Sequence, residues 1–487
     1  MILSICCGVL FTLVTTAESA CSAGRTKHEL RGAWIATVSN IDWPKSSSKT
    51  TSQNKDDLTA LLDALASETI NAVFFQVRSN GEAVYNSSIE PWSQYLTGHQ
   101  GTHPTPAWDP LHFLVNEAHK RNIEVHAWFN PYRARSGSTT TTGLAPNHMA
   151  RELSAHTHPY GNYIWMDPGS KQVQDRVNAV VMDVVNRYDV DGVHMDDYFY
   201  PYPTAESFPD TATFNAYKSA GGNLSHNDWR RENVNTLIHR LSTNIHHAKP
   251  WVKFGIAPFG IWKTGHPAGV VGLSSVDSLH ADSRHWLHQG WLDYIAPQLY
   301  WVIDGPQSFT KLIDWWSDPA QNPTHKHVYA GLADYRVVEN NWNVNEILHQ
   351  VQATQSRTAQ DVWGVIHYSA KHVEHNVHSL FTTLKSSVYK HPALPDKYSY
   401  RGGVPAPAAP KVTASGPTLD WSGSSHENVR SWAVYHSVAN TCTLVKVLNT
   451  ATTHLDVSGQ GEYVVSAVNR LGEETDGNPV TVTTVVG

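Results

Sequence analysis

Eight short apolar segments of strand character recur along the chain, at residues 29–39, 71–78, 123–133, 190–199, 252–262, 292–301, 327–337 and 362–370. Runs with apolar residues at helical spacing separate several of them, at 56–69, 109–122, 170–188, 229–248 and 281–290. Strands that alternate with helices read as parallel βαβ units, because a parallel neighbour is reached only by a crossover. Eight such units predict a closed (β/α)8 barrel. A doubly wound open sheet is the alternative, but no glycine-rich dinucleotide loop follows the first strand to favour it. At 487 residues the chain is too long for a barrel alone, so a barrel over 28–396 with a small appendage is expected.

Alternate residues of a strand share a face, which makes the barrel reading specific about side chains. Gln76 shares parity with Arg78, His126 with Trp128 and Asn130, and His194 with Asp196. Tyr294, Gln298 and Tyr300 share a face, as do Val365, His367 and Ser369. In each case the polar members gather toward the C-terminal end of the segment. Barrel active sites are built at that end, above an interior filled by apolar side chains.

The character changes near Lys397. "RGGVPAPAAPK" belongs to a Pro/Ala-rich linker over 397–411, and short alternating segments separated by turn residues fill 412–487. They suit a small β-sandwich, and "YVVSAVNRLGEET" resembles the late strand and turn of a fibronectin type III module. At the other end, residues 2–17 form an apolar run followed by small residues, which reads as a signal peptide over 1–23 and predicts export to the periplasm, the cell envelope or the medium. A lipid anchor at Cys21 is disfavoured by Glu18 three residues before it, and the remaining pair, Cys21 and Cys442, implies no disulfide framework. No transmembrane segment is expected once the leader is removed. A net charge of −7 without a basic tract argues against nucleic acid as a partner. The 29 histidines are scattered, with no His-Glu-x-x-His or Cys-x-x-Cys spacing, so neither a metal nor a cofactor is expected.

The chemistry is concentrated in "VDGVHMDDYFYP", where a strand runs into Asp196 and Asp197 side by side. Adjacent carboxylates repel and lose solvation, so such a pair needs a functional reason. Glycosidases use two carboxyl groups about the scissile bond, and an adjacent pair can hold one neutral and the other ionised. In another design one carboxylate orients a substrate acetamido group that itself attacks. The stretch resembles the chitinase-type pattern in part: Asp191, Gly192 and Asp196 align, but His194 replaces the central Asp and Tyr198 stands where the acid Glu belongs.

A fuller resemblance runs from about Glu29 to Trp301. The blocks "ELRGAWIATVSNIDWP", "FFQVRSNGEAVYNSSIEPWSQYLTG", "WDPLHFLVNEAHKRNIEVHAWFNPYR", "VDGVHMDDYFYP", "FGIAPFGIW" and "GWLDYIAPQLYW" are similar to glycosyl-hydrolase-like family 10. The resemblance implies an exported bacterial (β/α)8 glycoside hydrolase, in a family where some members cleave peptidoglycan strands freed of their stem peptides and some carry a fibronectin-like tail. A polysaccharide is then the expected partner. The catalytic candidates are Asp196, then Asp197, with Glu82 as the partner carboxylate, in a loop where the family usually keeps an acid. Asp42, Asp304 and Asp334 are weaker candidates. Gln76, Asn130, His194, Gln298 and Tyr300 can hydrogen-bond sugar hydroxyls or an acetamido group. Arg78 and Arg133 can hold a carboxylate such as the lactyl group of N-acetylmuramic acid. Trp34, Trp128, Tyr198, Trp262 and Trp301 can stack on pyranose faces. The rival readings are a non-catalytic glycan-binding protein on the same scaffold and a hydrolase of an α-glucan or exopolysaccharide.

Overall fold

A computed structural model describes Cys21 and residues 28–423, 429–439 and 441–483. Apart from Cys21, the leader read over 1–23 lies outside the described residues.

The barrel strands are β1 (Leu30–Ile35), β2 (Ala72–Arg78), β3 (Glu124–Phe129), β4 (Gly192–Met195), β5 (Lys253–Ile256), β6 (Tyr294–Ile295), β7 (His327–Leu332) and β8 (Val362–His367). Each pairs in parallel with the next, and β8 closes onto β1, so that Gly32 lies opposite both Ala72 and Ile366. All eight predicted strands are present, but most end several residues early. The loops that follow are themselves buried and aromatic, so hydrophobicity alone did not mark where pairing stops.

The crossover helices have legible starts. Ser170 caps Lys171–Arg187, Ser225 caps His226–Ala248, and Asp109 caps Pro110–Lys120, which begins with proline. Thr50 and Gln53 form a reciprocal capping box at the head of Thr51–Ser67. The inward face of that helix carries Leu58, Leu61, Leu62 and Leu65, and the next-but-one helix presents Val173, Val177, Val180 and Val184.

The barrel interior corrects one expectation, because it is not simply apolar. Beside Phe74, Leu30 and Ile366 stand His126, His194 and Tyr294, all without solvent exposure. Gly192 and Gly255 make room for them: a Cβ at either position would collide with the ring of His126 or Tyr294. At the N-terminal end of the strands, Lys253 donates to both oxygens of Glu124 at 2.6 Å.

The C-terminal domain consists of a three-stranded sheet (Lys411–Ser415, Thr418–Ser422, His454–Asp456) and a four-stranded sheet (Thr441–Asn449, Ser431–Val438, Gly461–Val468, Pro479–Val482), all antiparallel. It docks on the N-terminal face of the barrel. Arg430 reaches Asp191 at 3.3 Å, Asn122 donates to the carbonyl of Val447 at 3.0 Å, and Arg470 lies over the Trp251 ring. The start of the Pro/Ala-rich stretch is anchored as well: Tyr398 is buried and Arg401 pairs with Asp293 at 2.6 Å. Cys21 and Cys442 are joined by a disulfide, a pairing the cysteine spacing did not indicate. The bond ties Cys21 to the four-stranded sheet of the C-terminal domain.

Candidate active site

Asp196 is the first residue past β4, at the C-terminal mouth of the barrel. It is held from three directions. Its Oδ2 accepts from Trp128 Nε1 at 3.1 Å and Asn130 Nδ2 at 2.5 Å, and its Oδ1 accepts from the Tyr198 amide at 3.2 Å. The orientation of the Asn130 amide is itself dictated. Gln76 Oε1 accepts from the backbone of Thr37 and Val38, each at 2.9 Å, which turns its Nε2 onto Asn130 Oδ1 at 2.7 Å. Arg133 also donates to that oxygen at 3.1 Å. Only the NH2 of Asn130 is left to face Asp196.

Asp197 turns the other way, accepting from the Tyr202 hydroxyl and from Gln298. Burial raises the pKa of both carboxyls. For Asp196 the neighbouring charge of Asp197 adds to burial and Arg133 opposes it, leaving the group raised to about 7. Asp197 is raised by burial, with the bonds from Tyr202 and Gln298 pulling back toward ionisation. A carboxyl raised to about 7 beside a second raised carboxyl whose hydrogen bonds partly offset its burial is an arrangement suited to general acid–base chemistry.

The pair opens into a cleft of about 460 Å³. Trp34 and Trp128 contribute to its floor, and Tyr198, Tyr202, Tyr300 and Tyr368 give it aromatic surfaces suited to sugar rings. Gln298 lines it too. At the edge stand Tyr335, Glu339, Lys371 and His372.

The other predicted site residues lie elsewhere. Glu82 is buried in its loop, where Ser93 at 2.6 Å and Gln100 at 2.7 Å satisfy its carboxylate, and it does not line the cleft. Arg78 is fully buried, donating to the Asn130 carbonyl at 2.5 Å and facing Glu90. Arg133 is occupied by Asn80 and Asn130 and lies over the Tyr198 ring. Gln76 and Asn130 sit behind Asp196 as its support. His194 is buried beneath Trp34, whose Nε1 donates to His194 Nε2 at 3.0 Å. Trp262 stacks on Trp315 and bonds Asp282, while Trp301 packs against Phe259; neither lines the cleft. Of the weaker candidates, Asp42 accepts from Ala36 N, Ser369 Oγ and Lys371 N, and Asp334 is bound to His367. Among the described residues, no three or more His, Cys, Asp or Glu are grouped to hold a metal ion.

Tyr335, Tyr368, Glu339, Lys371 and His372 were not picked out as site residues. Lys371 lies past the end of β8 in the helix Ala370–Glu374, where strand parity gives no signal.

Barrel and cleft together define a glycoside hydrolase, a glycan-acting enzyme with carboxyl groups at the barrel mouth. The chain belongs to the glycosyl hydrolase-like 10 family, whose profile matches residues 29–349. It is similar to glycosyl hydrolase YngK of Bacillus subtilis (strain 168), with 40% identity over 401 residues, covering 80% of this chain and 77% of that protein. It is also similar to glycosyl hydrolase DigH of Escherichia coli (strain K12), with 38% identity over 346 residues, covering 66% of this chain and 78% of that protein. Among solved structures it resembles the PgaB (BpsB) glycoside hydrolase domain from Bordetella bronchiseptica, at 13% identity and a TM-score of 0.47 over 74% of this chain and 98% of that one.

Proposed function

We propose that this protein is an exported hydrolase of an N-acetylated cell-wall glycan, acting on peptidoglycan strands that have lost their stem peptides. The observation that carries the reading is the adjacent Asp196–Asp197 pair in an aromatic cleft, with Asp196 near pKa 7 and Asp197 held by Tyr202 and Gln298.

Adjacent carboxyls are too close to stand on opposite sides of a scissile bond, but they suit a substrate that brings its own nucleophile. In this reading Asp197 orients the 2-acetamido group. The acetamido oxygen attacks C1 as the glycosidic C–O bond breaks, and Asp196 delivers its proton to the leaving oxygen. Asp196, now ionised, takes a proton from the water that opens the resulting ring, which restores both groups. A bare strand fits a cleft walled by tyrosines, whereas branching peptides add bulk at the muramic acid residues. The family resemblance supports the same substrate. Export is supported by the apolar N-terminal run and by the Cys21–Cys442 disulfide, because such bonds persist outside reducing compartments. The two-sheet C-terminal domain is read as a fibronectin type III-like module without a part in the chemistry.

The test is mass spectrometry of products from peptidoglycan stripped by an amidase, with peptide-bearing peptidoglycan alongside. Short N-acetylated fragments from the stripped strands only, lost in Asp196→Asn, support the reading. Cleavage of neither polymer, with activity on another polysaccharide, rejects the substrate.

A further inference from the structure

We propose that Lys371 forms a carboxylate-binding position at the edge of the catalytic cleft, so that the enzyme recognises an acidic sugar by its pendant carboxylate. The proposal deepens the reading above and rests on it for the location of the glycan.

Three observations carry it. First, the arginines expected to meet a substrate carboxylate are spent on the protein. Arg78 is engaged by Asn130 and Glu90, Arg133 by Asn80 and Asn130, and neither lines the cleft. Second, Lys371 does line the cleft, and among the described residues its ammonium has no carboxylate within ion-pairing distance. Glu374, on the same short helix, is taken by Lys45 at 2.7 Å. His372, its neighbour in the cleft wall, is pushed down by burial and adds no second charge there.

Third, the backbone around Lys371 is fixed by a dedicated support. Asp42 Oδ2 accepts from the Ala36 amide at 2.7 Å, while its Oδ1 takes the Ser369 hydroxyl at 2.6 Å and the Lys371 amide at 3.0 Å. The turn after β8 is thereby tied to the end of β1. Asp42 bonds only backbone and hydroxyl donors, so the Lys371 charge acts on it at longer range and makes no direct hydrogen bond to it. Within the cleft it faces the carboxylates Glu339, Asp196 and Asp197 only as a longer-range counter-charge. A carboxylate projecting from a bound sugar gives it a partner, through a charge-assisted hydrogen bond. The 3-O-lactyl group of muramic acid and the C6 carboxylate of a uronic acid share that chemistry.

The test is calorimetric binding to the full chain carrying Asp196→Asn, so that turnover does not interfere. The probes are an N-acetylglucosamine–N-acetylmuramic acid disaccharide, its lactyl amide, di-N-acetylchitobiose, and an N-acetylglucosamine–glucuronic acid disaccharide. The acid is expected to bind about tenfold more tightly than its amide. Lys371→Gln should bring that ratio close to one, and Lys371→Arg should restore most of it. If the uronate shows the preference and the lactyl acid does not, the carboxylate position stands and the peptidoglycan reading falls. Equal binding of acid and amide, an equal loss on every probe in Lys371→Gln, or no binding of any acidic probe overturns the proposal.

Discussion

Trp34 donates its indole hydrogen to Nε2 of His194, and this one contact fixes the protonation of a column of residues along the barrel axis. An indole nitrogen can only donate, so His194 Nε2 is the acceptor and Nδ1 carries the proton. That proton goes to the Tyr294 hydroxyl at 3.0 Å, which passes its own hydrogen to His126 Nδ1, also at 3.0 Å. His126 Nε2 then donates to Glu124 at 3.3 Å, and Lys253 ends the chain. Burial holds the His194 pKa well below the usual imidazole range, so the ring stays neutral and the ordering persists through ordinary pH. The orientation of a cleft tryptophan is thus set by groups reaching to the opposite end of the barrel.

Tyr294→Phe keeps the ring and removes the hydroxyl between the two histidines. The cost should be about 1–3 kcal/mol for each buried imidazole nitrogen left unpaired, read by urea denaturation. Turnover should fall as well, because Trp34 loses its fixed acceptor.

Asp196→Asn preserves shape and removes the titrating proton. The turnover number should drop about 10²–10⁴-fold, the usual range for a positioned general acid. In the wild type, kcat/KM should decline above about pH 7, as Asp196 ionises and can no longer donate. A plateau running unchanged to pH 9 would remove Asp196 from the role of acid.

The same carboxyl sets a pH dependence of stability with a definite sign. The folded pKa of Asp196 is raised to about 7, while in the unfolded chain it titrates as an ordinary aspartate. Its contribution is therefore most favourable below the unfolded pKa, and it is lost as pH rises through the folded one. The melting temperature of wild type minus that of Asp196→Asn should fall between about pH 4 and pH 7 and level off above.

Lys253→Met tests the far end of the axial column. It strands the Glu124 carboxylate, which is ionised despite burial because Lys253 offsets the desolvation. Removing one partner of such a pair typically costs about 3–5 kcal/mol. Chemical denaturation should show a loss of that order.

The barrel is legible in the sequence because strand and helix periods alternate, and Asp196 stands out there because an adjacent acid pair at a strand end is hard to explain otherwise. It misplaced residues whose role depends on a partner remote in the chain. Gln76, Arg78 and His194 have the right parity and lie near the right end of the barrel, yet each is buried and bonded to protein groups. Parity reports the face of a strand, not whether a side chain meets solvent or another side chain. Glu82 kept its charge in a suggestive loop, but Ser93 and Gln100 close over it. Lys371 escapes notice for the converse reason: it lies beyond the last strand-like segment, in the short helix Ala370–Glu374, where strand parity says nothing.

The C-terminal domain covers the N-terminal face of the barrel, through Arg430 on Asp191 and Arg470 on Trp251, while the cleft opens on the opposite one. Nothing the small domain grips can therefore be the stretch of glycan then being cut. It behaves as a foot and not as a second hand. Whatever surface that foot stands on, the cleft looks away from it, free to receive a strand crossing above.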